Sequence, residues 1–255
     1  MKLKLISALT LTAFISACGG DKAPAEQSAK TASDTATKQI RIATESSFKP
    51  FSYLDASGNL VGFEIDLANA LCQEMQATCD IQSQDWEGLI PGLQAKKYDA
   101  VMAGMSATEE RAKVVDFSDS YFNNTLVLLG KKGVELSATA LDGKNIAVQQ
   151  ATVSADYLAN QQPNAIVKAY DKQDNAYLDL SAGRVDGMMS DIVPALDWLK
   201  TDTGADFEVK GEPVDINDTV AIALRKNDPL KDEFNNALAK LKESGKYDEL
   251  VSKYF

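Results

Sequence analysis

The chain has 255 residues and a formal net charge of −11, because 26 Lys and Arg stand against 37 Asp and Glu. This acidic balance argues against a nucleic acid as partner, since phosphate backbones repel negative charge. The sequence contains no histidine, the commonest general base and metal ligand, so hydrolase triads and zinc sites are not expected. Carboxylates alone could hold Ca²⁺ or Mg²⁺, but the sequence has no Asp-rich loop with that ligand spacing, and we predict neither a metal nor a cofactor.

The N-terminal residues predict export. Two lysines precede an apolar segment at 5–14, which is much shorter than the ~20 residues of a membrane span. This pattern is typical of a signal peptide, predicted at 1–17. It ends in small residues before Cys18, which resembles the lipidation site of bacterial lipoproteins; a plain secretory signal with an incidental cysteine is the alternative. Residues 18–38 predict a flexible, lipid-anchored linker, with the protein facing the periplasm or the cell surface.

Strands and helices alternate in the first half of the remaining ~217 residues, a length that can bury a core as one large or two small domains. The predicted elements are a strand at 40–44, a helix at 65–75, a strand around 81, a helix from about 87 to 96 and a strand from 100. Such alternation predicts parallel pairing in an α/β sheet. Cys72 and Cys79 are close in sequence, and such a pair in an exported protein predicts a structural disulfide.

The second half repeats this plan, with strands predicted at 145–149, 165–169 and 186–189, helices at 154–160, 175–182 and up to 200, a strand at 219–224, and helices at 230–245 and 247–255. Two strand-like crossings, near 123–128 and 218–221, are predicted to join two Rossmann-like lobes as a hinge. One lobe would comprise 39–123 and 221–255, and the other 124–220.

The segment at 103–111 predicts a socket for a small carboxylate. Thr108 is a good helix N-cap, and free N–H groups at a helix start attract anions. Arg111 lies in the first turn, where a cation is electrostatically misplaced unless an anion meets it. The alternative is a surface ion pair of Arg111 with Asp116 or Glu110.

An internal repeat suggests a partner for this socket. Five positions recur 87 residues later, since Leu93, Ala95, Lys97, Asp99 and Met102 are matched by Leu180, Ala182, Arg184, Asp186 and Met189. In this alignment Gly104 corresponds to Asp191. Two related α/β units whose strand ends face each other would bring both positions to one crevice, where open α/β sheets bind ligands. Chance similarity is the alternative, and Asp191 could instead cap the helix that follows it.

These residues together resemble the polar amino acid-binding proteins of bacterial ABC importers, solute-binding protein family 3. The matching motifs are Thr44-Glu45, Pro50-Phe51, 62–68, the Cys72 and Cys79 pair, Leu89-Ile90-Pro91 and 99–121. The resemblance covers about 39–255, and segments 43–46 and 103–105 are most similar to the arginine-binding and lysine/arginine/ornithine-binding members. It implies a two-lobed periplasmic-binding-protein fold.

The resemblance also implies how the common groups of an amino acid are held. Arg111 would grip the α-carboxylate, helped by backbone N–H groups near Ser106 and Thr152, because a guanidinium can make two parallel hydrogen bonds. Asp191 would take the α-ammonium, with the Gly104 carbonyl and the Ser106 hydroxyl beside it.

The side-chain preference follows from further matched positions. Glu45 and Glu64 correspond to acids in members that bind cationic side chains, and Phe48 and Trp86 to rings that sandwich the side chain. Glu64 could instead be an acid at a helix start, and Trp86 could be core. Gln149 and Gln150 could complete the pocket, but spacing does not show which faces inward; the site prediction includes Gln150.

The implied function is the substrate-binding component of an amino acid ABC transporter. It would be a monomer, and it would not be an enzyme. It would bind free arginine, or lysine or ornithine, and close around this ligand by a hinge motion. The closed form would dock on a permease in the inner membrane. There are three alternatives. The ligand could be a neutral polar amino acid such as glutamine or histidine, the protein could be a cyclohexadienyl-dehydratase-like enzyme on the same fold, or it could be a sensor or surface protein.

Overall fold

The computed structural model describes residues 37–255. The predicted signal peptide, the lipidation of Cys18 and nearly all of the predicted linker therefore lie outside the described residues. Within 37–255, no helix combines the length and the apolar character that a membrane crossing requires. Lys38, the last residue of the predicted linker, already belongs to the first strand.

The described residues form fourteen strands and eight α-helices. The strands are β1 Lys38–Thr44, β2 Ser47–Phe48, β3 Ser52–Leu54, β4 Leu60–Val61, β5 Ala77–Ser83, β6 Ala100–Val101, β7 Asp116–Phe117, β8 Phe122–Lys131, β9 Asn145–Gln149, β10 Ile166–Tyr170, β11 Gly187–Asp191, β12 Phe207–Val209, β13 Val214–Val220 and β14 Ala223–Leu224. The helices are α1 Phe63–Glu74, α2 Leu89–Gln94, α3 Glu109–Ala112, α4 Val153–Gln161, α5 Gln173–Ser181, α6 Ile192–Leu199, α7 Leu230–Glu243 and α8 Lys246–Tyr254.

The first lobe is built on the sheet β5-β1-β6-β14-β7. β1 pairs in parallel with β5 and β6, which helical crossovers reach, while β14 is antiparallel to its neighbours. Because side chains alternate along a strand, Ile42 packs with α1 and α7 on one face, whereas Ala43 packs with α2 on the other. Both faces of this sheet are thus covered, and the ends of its strands remain open toward the second lobe.

The second lobe is built on the sheet β10-β9-β11-β8-β12, with β13 also paired to β8. β9 is parallel to β10 and β11, but β8 is antiparallel to β11, β12 and β13. The prediction of parallel pairing therefore holds only for strands that follow a helical crossover. β8 and β14 enter their sheets from the other lobe and run in the opposite direction.

The two lobes are joined by β8 and β13, which run side by side. Phe122 pairs with Val220, Asn123 with Thr219 and Asn124 with Asp218. The predicted strand at 219–224 is broken, because the chain leaves β13 at Val220 and enters the first sheet only at β14. The two predicted crossings correspond to β8 and β13. The exact residues at which one lobe ends and the other begins remain a prediction.

Cys72 of α1 and Cys79 of β5 are joined in the structure, with their Cα atoms 5.8 Å apart. The bond connects the C-terminal part of α1 to β5, the edge strand of the sheet in the first lobe. Oxidation of this pair in the exported protein remains a prediction: mass spectrometry of non-reduced peptides should find Cys72 linked to Cys79, and two free thiols would contradict it.

Candidate functional site

A cavity lies between the lobes, at the carboxyl ends of β1, β6, β9 and β11. This is the edge at which α/β sheets bind ligands. The cavity is lined by Glu45, Phe48, Trp86, Ala103, Gly104, Ser106, Arg111, Gln149, Thr152, Val153, Ser154, Gln173, Met189 and Asp191. All the ligand-binding residues predicted from the sequence are in this set except Glu64 and Gln150.

Arg111 reaches the cavity from α3, whose N-cap Thr108 accepts a hydrogen bond from the Arg111 backbone N–H, 3.2 Å away. Its guanidinium donates to the Ser106 carbonyl at 2.9 Å and to the Ala151 carbonyl at 3.0 Å, and lies 5.2 Å from the centre of the Trp86 ring. All of these partners are neutral. Burial lowers the pKa of Arg111, but a guanidinium stays charged at any physiological pH.

The surface ion pairs considered for Arg111 are not formed. Asp116 pairs instead with Lys226, and Glu110 with Lys113. Among residues 37–255, no carboxylate oxygen lies within 4.0 Å of the Arg111 guanidinium. Two of its five N–H groups are used on carbonyls, so others are available to a carboxylate.

The second lobe faces Arg111 with the start of α4. Thr152 caps this helix by accepting from the Ala155 N–H at 3.3 Å, and its hydroxyl donates to the Gln149 carbonyl at 2.8 Å. The N–H groups of Val153 and Ser154, which line the cavity, have no acceptor among the described residues. These N–H groups and Arg111 form what we call the positive pole of the cavity. Since α3 is a single turn, the first lobe contributes mainly through the Arg111 charge.

Asp191 supplies a negative group. It ends β11 and occupies the N-cap position of α6, but its side chain makes no capping hydrogen bond. The capping role considered from the sequence is therefore not realised. Burial raises the pKa of Asp191 to about 7, with Asp218 and Glu45 adding to the rise, while Asn124 and Arg111 oppose it. Gly104 and Asp191 line one cavity, as the internal repeat predicts.

Glu64 does not line the cavity but lies directly behind its wall. It is 1% exposed, and its Oε1 accepts from the Gly104 N–H at 2.7 Å and from the Tyr121 hydroxyl. Oε2 has no hydrogen-bond partner among the described residues, and burial raises the pKa of this carboxyl to about 7. Glu64 lies on the buried face of α1, three and four residues before Leu67 and Ala68. This helical spacing is the sequence signal for its inward position.

Gly104 is a position that only glycine fits. Its φ is +59°, and an added Cβ would lie 2.3 Å from the Phe48 ring. The hydrogen bond from its N–H to Glu64 holds this turn against the cavity. The wall beside Asp191 is therefore shaped by backbone that Glu64 supports from behind.

A different part of the cavity lining, which we call the Glu45 end, contains Glu45, which is 3% exposed. Its Oε1 accepts from the Ser47 hydroxyl and the Gln149 side-chain amide, both at 2.8 Å, and burial raises its pKa. Phe48 and Trp86 line the same cavity. The Glu45 end thus combines a buried acid with an amide, whereas the Trp86 ring lies 5.2 Å from the Arg111 guanidinium and the Phe48 ring lies against Gly104.

The choice between Gln149 and Gln150 is decided by strand geometry. Gln149 ends β9 and is buried in the cavity, whereas Gln150 donates to Glu87 at 2.5 Å toward the surface. Gln149 is the last residue of the strand, whereas Gln150 begins the turn that follows it, and the turn directs its side chain away from the cavity. Gln150 was predicted to line the cavity, but Gln149 lines it instead.

Several lining residues were not expected. Val153 and Ser154 follow Thr152, whose neighbouring backbone N–H groups the resemblance assigned to the carboxylate, and Met189 belongs to the internal repeat, so signals for them existed. Gln173 begins α5, is buried and donates to the Tyr177 hydroxyl at 3.1 Å. No sequence signal identified it.

The lobes touch each other around the cavity. The Ala151 carbonyl of the second lobe accepts from both Arg111 and the Trp86 indole N–H, the latter at 3.1 Å. Ion pairs join Lys49 to Asp197 at 3.4 Å and Lys172 to Asp85 at 3.6 Å. The cavity is thus held from both sides by contacts between the lobes themselves.

Comparison with known proteins agrees with this architecture. The family model of the bacterial extracellular solute-binding proteins, family 3, matches residues 40–255. The putative ABC transporter arginine-binding protein 2 of Escherichia coli is 38% identical over 88% of this chain and 93% of its own. The lysine/arginine/ornithine-binding periplasmic protein of the same organism is 38% identical over 85% of this chain and 87% of its own. A solved Salmonella typhimurium periplasmic binding protein, described for its high arginine specificity, superposes with a TM-score of 0.82 at 35% identity, over 86% of this chain and all of the other.

Proposed function

Because the chain belongs to the bacterial extracellular solute-binding proteins of family 3, we propose that it binds a basic L-amino acid in the cavity between its lobes. Arginine is the first candidate, followed by lysine and ornithine. The observation that carries the proposal is the pair formed by Arg111, which has no ion-pair partner among residues 37–255, and Asp191, whose side chain makes no capping hydrogen bond. Both line one cavity, as the two ends of a zwitterion require.

The α-groups of the ligand fit these two residues. The α-carboxylate would accept from the Arg111 guanidinium and from the N–H groups at the start of α4. The α-ammonium would donate to Asp191, with Ser106 and the Gly104 carbonyl beside it. The ligand would then bridge the lobes, since Arg111 belongs to the first and Asp191 to the second.

The preference for a cationic side chain rests on charge balance. Arg111, Asp191 and Glu45 together carry a net charge of −1 when all are ionised. A zwitterion with a positive side chain brings +1 and leaves none of these three charges without a partner, whereas a neutral side chain leaves Glu45 without a cation. Phe48 and Trp86 support the same preference, because a guanidinium on an aromatic face gains about 0.5–2 kcal/mol.

The transport role is proposed from the family and from its named relatives. The exported protein would be a monomer, tethered through Cys18, that delivers its ligand to an ABC permease of the inner membrane. Closure by a hinge motion would use β8 and β13, the two strands that connect the lobes.

A neutral polar ligand such as glutamine is the second candidate. It is favoured by one observation, the two amide side chains of Gln149 and Gln173 in the cavity. An enzyme on the same fold would convert its ligand, so recovery of unchanged ligand after prolonged incubation separates binding from catalysis.

The test is a panel of amino acids on protein stripped of co-purified ligand. Ligand at a thousandfold excess over its dissociation constant should stabilise the fold by about 4 kcal/mol. We expect large thermal shifts with L-arginine, L-lysine or L-ornithine and a smaller shift with D-arginine. No shift with any basic amino acid would overturn the proposed preference, and a large shift with glutamine alone would favour the second candidate.

A further inference from the structure

Asp218 is a buried carboxylate in the hinge to which the proposed binding mode assigns no role. It is 8% exposed and lies in β13, directly opposite Asn124 of β8. Its Oδ2 accepts from the Ser106 hydroxyl and from the Asn124 side-chain amide, both at 2.8 Å. Among residues 37–255 no Lys or Arg nitrogen lies within 4.0 Å of it. A buried carboxylate without a cation is costly, which calls for an explanation.

The hydrogen bond from Ser106 to Asp218 determines what Ser106 can offer to the cavity. A hydroxyl has one proton and two lone pairs. The proton of Ser106 is used on Asp218, so only lone pairs remain for a ligand. Ser106 is thereby restricted to accepting a hydrogen bond, although a serine hydroxyl elsewhere can donate or accept.

The backbone of Ser106 is fixed as firmly as its hydroxyl. Its carbonyl accepts from Arg111, it forms a β-bridge with Val220 at the end of β13, and the next N–H, of Ala107, donates to Thr219 at 2.9 Å. Ser106 is therefore attached to the hinge strand at the point where that strand enters the first lobe. Neither its backbone nor its hydroxyl can turn without breaking hinge contacts.

A fixed acceptor in this place suits one part of the proposed ligand. Ser106 lines the cavity together with Asp191 and Gly104. Here an acceptor can bind an ammonium, while it would repel a carboxylate. Without Asp218 the hydroxyl could rotate and donate to the carboxylate instead.

We propose that Asp218 is a positioning residue that holds Ser106 as an obligatory acceptor, so that the cavity selects ligands with an α-ammonium. This inference rests on the proposed function but not on which side chain is bound. It makes the hinge itself part of ligand recognition, because the same carboxylate joins β13 to β8 through Asn124.

The test compares each amino acid with its analogue that lacks the α-amino group. The pairs are L-arginine with 5-guanidinopentanoate, and L-lysine with 6-aminohexanoate, measured by calorimetry on the exported protein. Asp218→Ala should weaken binding of the amino acid about tenfold or more, the usual effect of losing a hydrogen bond to a charged group. It should change binding of the analogue less than threefold. Asp218→Asn keeps an acceptor oxygen and should recover part of the loss.

Ser106→Ala supplies the matched variant if Asp218→Ala folds poorly. It should show the same selective loss, and Ser106→Ala with Asp218→Asn should be no worse than Ser106→Ala alone, because both changes act on one hydrogen bond. Equal losses for amino acid and analogue, or additive losses in the double variant, would overturn the inference. Wild-type protein that binds no amino acid would overturn the proposed function and the inference with it.

Discussion

The two ends of the cavity are built in different ways. At the positive pole, Arg111 is oriented by two backbone carbonyls, and the facing N–H groups belong to the start of α4. At the other end, Glu45 is held by side chains, Ser47 and Gln149. The end that would recognise what all amino acids share is thus attached to the backbone. The end that would choose among them consists of side chains, which substitution can alter without disturbing the fold.

The largest expected effect comes from removing the charge at the backbone-held end. Arg111→Ala should weaken binding of every amino acid by about 2–5 kcal/mol, since a buried charge pair loses one partner. Apo stability should fall by only about 1–2 kcal/mol, because the loss of two hydrogen bonds from a charged donor is partly offset by removing a desolvated charge. Calorimetry and chemical unfolding measure the two effects.

Arg184 offers a matched control, since it is an exposed arginine paired with Asp179. Arg184→Ala should leave binding unchanged. If Arg111→Ala instead unfolds the apo protein and spares the affinity of what remains folded, Arg111 is a structural residue.

The next effect concerns pH, through Asp191. Its pKa of about 7 in the folded protein lies above the ordinary value of 3.8. The group therefore stabilises the apo fold at low pH, and this contribution is lost as the pH rises toward 7. An ammonium favours the ionised carboxylate, so affinity should rise between pH 5 and pH 7, by up to about tenfold per pH unit, and then level off.

Calorimetry in buffers of different ionisation enthalpy should detect proton release on binding near pH 6. Asp191→Asn should bind weakly and remove that release. Since burial also raises the pKa of Glu64 to about 7, proton release that persists in Asp191→Asn would assign the titration to Glu64 or Glu45 instead.

A smaller and selective effect is expected at the side-chain-held end. Glu45→Gln keeps the size and the hydrogen-bonding capacity but removes the charge. Binding of arginine and lysine should weaken on the order of tenfold, the effect of losing a charged hydrogen-bond partner, while binding of glutamine should be unchanged or stronger. Glu87→Gln, on the surface beside Gln150, is the control, and equal losses for all ligands would contradict this division of roles.

The smallest effect separates two adjacent residues. Gln149→Ala should weaken binding by about 1 kcal/mol, because Glu45 loses one of its two hydrogen-bond donors. Gln150→Ala should have no measurable effect on affinity. A loss at Gln150 that exceeds the loss at Gln149 would mean that the wrong side chain has been placed in the cavity.

The sequence could predict those site residues that leave a signal in the sequence itself. Arg111 was identifiable because its charge conflicts with its place in a helix, and Asp191 because a repeat aligned it with Gly104. The first signal is local in sequence, as are the periodicities that placed β9 at 145–149 and the helix at Leu230, and the second needs only a comparison of two segments of the sequence.

The misplaced residues depend on packing that is not local. Glu64 was assigned to the cavity from the family resemblance, but it lies on the buried face of α1 and supports Gly104 from behind. Asp218 was predicted only as part of the crossing at 218–221, and its contacts had no signal because its partners Ser106 and Asn124 are 112 and 94 residues away. A contact between such distant positions arises only when the two hinge strands pair.

The central claim is most directly tested by a crystal structure of the protein grown with L-arginine. We expect the α-carboxylate within hydrogen-bond distance of the Arg111 guanidinium, the α-ammonium at Asp191 and Ser106, and the ligand guanidinium at Glu45 beside Trp86 and Phe48. An empty cavity, or a ligand bound with its guanidinium at Asp191 and its carboxylate away from Arg111, would contradict the account.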